Sequence, residues 1–211
     1  MAPSALGLVG LPEAELRLGA LVLLSRVEDF AGPAEITMLD LCDALAAIVP
    51  EASYLADLDR PLQTIAAHVD NCGAIQQLTY GEAQQVLPLV PELLARSEPQ
   101  AWEPVLPSSA AAGLRHPTGS VSFLPAPVID AVEAGGQTAV LDRNRILHVL
   151  DGVGPVAWRA ACQGLGFDAL VQRVERLFGP PPGEDLAEAV VGVLDVLADA
   201  GVLLRVPVPT P

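Results

Sequence analysis

Apolar and polar positions alternate in two different textures along the chain. Up to about residue 98 the apolar ones recur at helical spacing. Leu16, Leu21, Leu23, Leu24 and Val27 share a helical stripe between Glu13 and Phe30, and Gly32–Pro33 ends that run. Thr37 is placed to cap a second helix, "TMLDLCDALAAIV", which Pro50 closes. A third is expected from Asp59 or Pro61 through "PLQTIAAHV". A fourth starts at Thr79, with Glu82 three residues on in a capping-box pattern; Pro88 and Pro91 interrupt it and it ends near Arg96. The expectation is an all-helical N-terminal domain over residues 11–98, behind a loose tail over residues 1–10.

Residues 99–122 then lose periodicity and are rich in Pro, Ser, Ala and Gly. This is the expected linker, or else an ordered segment that wraps the two halves together, which the large apolar Trp102 favours. Beyond it the period shortens. "PVIDAV" (Pro127–Val132), "QTAVL" (Gln137–Leu141) and "ILHVL" (Ile146–Leu150) read as strands. They are joined by the turns "EAGG" and "DRNR", where Asn144 suits a left-handed conformation. Three helices follow: Gly154–Gln163, Phe167–Phe178 and Glu184–Ala200, with "GPPPG" as a stop before the last. Gly201 ends that helix and "VLLRV" (Val202–Val206) closes the domain as an extended segment. The fold class expected is α+β, mostly helical: a helical N-terminal domain, and over residues 123–206 a three-stranded antiparallel meander with three helices.

Composition narrows what such a chain does. Its 211 residues are 51% apolar, enough to bury a core, and only 4% are aromatic. Eleven basic against 26 acidic residues give a formal net charge of −15. A surface of that sign repels phosphate backbones and anionic membranes, so neither nucleic acid nor membrane is an expected partner; a basic or neutral partner is easier to accommodate. Cys42, Cys72 and Cys162 are odd in number and widely spaced, which fits buried thiols. "LRLGALVLL" (Leu16–Leu24) is broken by Arg17 and too short to span a bilayer, and the N-terminus lacks a basic stretch. A cytoplasmic location is expected.

Several motifs invite chemistry. Gly152-x-Gly154-x-x-Ala157 has a dinucleotide-like spacing, yet that fingerprint needs a parallel βαβ setting, and Glu175 sits in a helical pattern. The glycines are read instead as a strand-to-helix turn. His68 and Cys72 lie one helical turn apart with Asp70 between, a spacing for two metal ligands without a second pair nearby. Asp40 and Asp43, and Glu28–Asp29, are paired carboxylates that read as solvated helix faces. His116 precedes a proline in the linker, and His148 lies in the third strand of the meander. No nucleophile elbow, P-loop or zinc-protease signature occurs, so no catalytic residue, metal or cofactor is expected.

The order of elements in the C-terminal half resembles the PqqD family, the RiPP recognition elements that bind leader peptides of ribosomally made natural products. The resemblance rests on "VLDRNRILHVLDGVGPVAW", with Trp158 in the first helix; on Phe167, Asp168, Leu170 and Val171 opening a helix that ends in "RLFG"; and on Leu197, Gly201, Val202 and Leu203. It covers about Pro127 to Val206; the family's common opening to the first helix is here Asp151-Gly152-Val153-Gly154. It implies a winged-helix-like fold and a non-catalytic protein that binds a precursor leader and presents it to a peptide-modifying enzyme, as that enzyme's partner subunit. The implied binding edge is Arg145, Ile146, Leu147, His148, Val149 and Leu150, to which the leader adds as a strand. By alternation Ile146, His148 and Leu150 face one way, and Leu147 and Val149 the other. The implied facing helix offers Glu188, Val191, Asp195 and Asp199. The readings left beside this one are a winged-helix regulatory or adaptor protein, and a small enzyme with its site in the helical half.

Overall fold

A computed structural model describes residues 18–95, 97–107, 114–115, 121–183 and 185–207. The expected tail over residues 1–10 lies outside these, as do the start of the first expected helix, Arg96, residues 108–113 and 116–120 of the linker with His116, and Glu184. Along the chain run β1 (Val22–Arg26), β2 (Glu35–Met38), α1 (Leu41–Ile48), α2 (Pro61–Cys72), β3 (Gln76–Tyr80), the short α3 (Val90–Leu93), β4 (Trp102–Pro104), β5 (Leu114–Arg115), β6 (Val121–Pro125), β7 (Val128–Ala134), β8 (Gln137–Asp142), β9 (Leu147–Leu150), α4 (Gly154–Gln163), α5 (Phe167–Phe178), α6 (Leu186–Asp199) and β10 (Leu203–Pro207).

The mostly helical fold class is incorrect. Among the described residues the chain forms three sheets, ordered β1-β3-β2, β10-β6-β5 and β4-β7-β8-β9. The N-terminal region holds strands where helices were expected. Thr37 lies in β2 and Thr79 in β3, so neither caps a helix. The expected box of Thr79 with Glu82 does not form; Glu82 is itself a cap, boxed with Gln85 on a single 3-10 turn. The first run misleads because apolar side chains stand on both of its faces. Leu21 and Leu23 pack against one core cluster and Val22 against another, so the two-residue period is filled in and reads as a continuous apolar stretch. β1 is held by parallel pairing with β3, in register Val22↔Gln76 to Arg26↔Tyr80, a partner more than fifty residues away.

The C-terminal meander forms close to its expected bounds, but as part of a larger sheet. Gly135 and Gly136, both at positive φ, make the β7–β8 turn. In the second turn the left-handed residue is Arg145 (φ +67°), not Asn144. The segment expected as linker supplies β4, which pairs with β7 in register Trp102↔Ala134. Both tryptophans fasten this segment: the Trp102 indole N–H donates to Asp70 of α2, and the buried Trp158 donates to the Val105 carbonyl at 3.1 Å.

The four-stranded sheet is a shared middle layer. One face carries Ala131, Val140 and Leu150 into a core with Trp158, Leu170 and Leu194 of the C-terminal helices. The other carries Val132, Ala139 and Leu141 into a core with Leu41, Leu45, Leu62 and Ala66 of α1 and α2. Residues from both sides of the expected domain boundary therefore bury each other. Asp130 of β7, fully buried, reinforces this join by accepting the Gln63 N–H in the first turn of α2. On the opposite side, Arg159 of α4 pairs with Glu133 of β7 at 2.8 Å and with Glu103 of β4.

Candidate functional site

A groove of about 1200 Å³ runs between β9 and α6. Its strand side is His148, Val149 and Leu150, continuing through Asp151–Gly154; its helix side is Glu188, Ala189, Gly192, Val193, Val196 and Leu197. β9 closes one edge of its sheet, and among the described residues no strand pairs with its outer side. An unpaired edge leaves a row of backbone donors and acceptors facing out.

Which groups face out follows from the ladder. The Asp142 N–H donates to the Ile146 carbonyl at 3.0 Å, and the register continues Leu141↔Leu147, Val140↔His148, Ala139↔Val149, Thr138↔Leu150. Hydrogen-bonded and non-hydrogen-bonded pairs alternate in an antiparallel ladder. His148 and Leu150 therefore spend their backbone groups on β8, and Leu147 and Val149 direct theirs to the open edge. Their side chains do the opposite work: Leu147 and Val149 pack on the α1 side of the sheet, and Leu150 enters the core under α4 and α6.

The edge is shorter than expected. Arg145 and Ile146 precede the strand, in the turn and just after it. The Arg145 guanidinium pairs with Asp57 at 2.6 Å, turned away to a 3-10 turn of the N-terminal half, and Ile146 is exposed. Asp142 holds this turn. Its carboxylate accepts the Ile146 N–H at 2.8 Å, and His148 Nε2 lies 3.4 Å from its other oxygen. Burial works against ionisation of Asp142, but those hydrogen bonds outweigh it and hold the carboxyl below its ordinary range.

On α6 only Glu188 of the four expected residues lines the groove. Val191 is half-buried against the C-terminal core. Asp195 and Asp199 both pair with Arg205 of β10, at 2.9 and 2.6 Å. The row 188–192–196 faces the groove, and the row 191–195–199, displaced around the helix, does not. Sequence reasoning missed Gly192, Val196, Asp151 and Asp185. A signal existed for Gly192, since a glycine inside the longest helix lowers helix propensity and needs a reason.

The glycine-rich joint is explained by local geometry. Gly152 takes a left-handed conformation (φ +54°), and a Cβ on Gly154 would meet the Leu150 side chain at 3.2 Å. The strand before it pairs antiparallel, so the parallel βαβ setting of a dinucleotide turn is missing here. In the N-terminal half, Asp70 accepts from Trp102, and Cys72 donates to the Gly73 carbonyl at 3.8 Å. Among the described residues, no three His, Cys, Asp or Glu side chains are grouped to hold a metal ion, and no helix is long and apolar enough to cross a membrane. Burial pushes the Cys42 thiol up to about 11 and Cys162 to about 12, far from the range of reactive thiols. No protein-family model, no curated protein and no solved structure matches the chain.

Proposed function

We propose that the protein binds the leader segment of a ribosomal precursor peptide by strand addition to β9, without catalysing its modification. The observation that carries this reading is the open edge of β9 lying directly along a groove walled by α6. Backbone pairing with Leu147 and Val149 supplies affinity, and side chains entering the groove supply specificity. The resemblance of residues 127–206 to PqqD-like recognition elements points the same way. On this reading the protein works in the cytoplasm as the partner of a peptide-modifying enzyme. The exposed Leu24, Leu87 and Leu94 of the N-terminal half are side chains such an enzyme would cover.

The test is fluorescence polarisation with the labelled leader of a precursor encoded beside this chain. Binding at micromolar concentration or tighter is expected. Val149→Pro removes an outward donor while sparing the bonds to β8, and should weaken binding; unchanged affinity in the folded variant would sink strand addition.

A further inference from the structure

Two features of the groove specify more than an extended peptide. The first is charge. Asp151, Asp185 and Glu188 line it, and no arginine or lysine does. All eleven basic residues of the chain are arginines. Those placed nearby are spent elsewhere: Arg145 on Asp57, Arg205 on Asp195 and Asp199. His148 is engaged with Asp142. Among the described residues the groove carboxylates thus have no cation of their own, whereas the carboxylates on the adjacent row of α6 do.

The second is a notch. Gly192 sits in the middle of α6, where glycine is unfavourable, yet a Cβ there would meet nothing within 4 Å. Packing within the protein does not call for glycine at this position. Val193 and Val196 flank it on the groove wall. The missing side chain leaves room for one brought by a ligand.

Resting on the strand-addition reading, we infer that the groove selects a cationic extended segment: lysines or arginines facing Asp151, Asp185 and Glu188, and a bulky apolar side chain seated over Gly192. A cation brought to carboxylates beside apolar walls gains more than on an open surface, and an acidic segment of the same shape is repelled.

The experiment pans a displayed library of random linear peptides on the intact protein. Three variants run in parallel: Asp151→Asn/Glu188→Gln, Val149→Pro and Gly192→Phe. Enriched peptides are expected to be net basic with one large aliphatic or aromatic residue. They should lose affinity roughly tenfold on the carboxylate variant, and lose it also as salt rises. Gly192→Phe should retain none of them. Carbodiimide coupling of a selected lysine peptide should join its lysine to Asp151, Asp185 or Glu188; because the chain has no lysine, every lysine–carboxylate product reports the peptide. Enrichment of neutral or acidic peptides, or coupling elsewhere, overturns the charge inference and leaves strand addition standing. Enrichment no greater than on folded Gly192→Phe overturns the apolar seat, and enrichment no greater than on folded Val149→Pro overturns strand addition itself.

Discussion

Asp130 and Gln63 are joined by two hydrogen bonds across the two halves of the chain. The Gln63 backbone N–H donates to Asp130 Oδ2 at 2.9 Å, and its side-chain amide donates to Oδ1 at 2.7 Å. Oδ1 also accepts the Ala131 N–H. A fully buried carboxylate on β7 thereby caps α2 from 67 residues away. Asp130→Ala leaves the buried Ala131 N–H and the half-buried Gln63 donors without this acceptor and should cost about 2–4 kcal/mol, read by chemical denaturation. Asp130→Asn keeps acceptor capacity and should cost clearly less. Equal losses would mean that side-chain volume, not capping, is what the site requires.

Gly192→Ala should stabilise the fold by roughly 0.5–1 kcal/mol, because alanine is the better helix residue and its Cβ meets no neighbour. Thermal melting checks this. Gly201 is the contrasting control: it holds a left-handed C-terminal position (φ +77°), so alanine there should destabilise.

Asp142 sets an acid-side dependence. Its folded pKa lies below its ordinary 3.8. The unfolded carboxyl is therefore the first to take up a proton as pH falls. The stabilisation is full above the unfolded value and is lost as pH drops through the folded one. Asp142→Asn should lower stability near neutral pH and flatten the loss below about pH 4, measured as denaturation midpoints across that range.

The Cys42 and Cys162 thiols should resist modification in the folded state. At around pH 8 a native Cys72→Ser variant should react with an aromatic disulfide reagent only as fast as it unfolds. Their raised pKa values carry an alkaline consequence of the opposite sign from Asp142. The unfolded thiols ionise from about 9, the folded ones only near 11 and 12, so stability falls as pH rises through that interval.

Much of the C-terminal half was legible from local pattern. α4 and α5 occupy the residues that periodicity marks, because each keeps one apolar face against the core. The strand-to-helix joint at Gly152–Gly154 was readable because glycine there answers a local steric need. The N-terminal strands were not. β1 and β3 exist through a parallel pairing across fifty residues, and the β1 window, with apolar side chains on both faces, carries no period to reveal it.

By itself the sequence determined the meander, the helices that follow it and a strongly acidic net charge, since each depends on neighbours in the chain or on summed charge. Tertiary structure decided three further things. It made the segment after Ser97 a fourth strand, it turned the 188–192–196 row of α6 to the groove, and it left Leu147 and Val149 facing outward from the edge. The physical reason is common to all three: a helix row or strand edge acquires an inside and an outside only when a distant partner packs on one side of it.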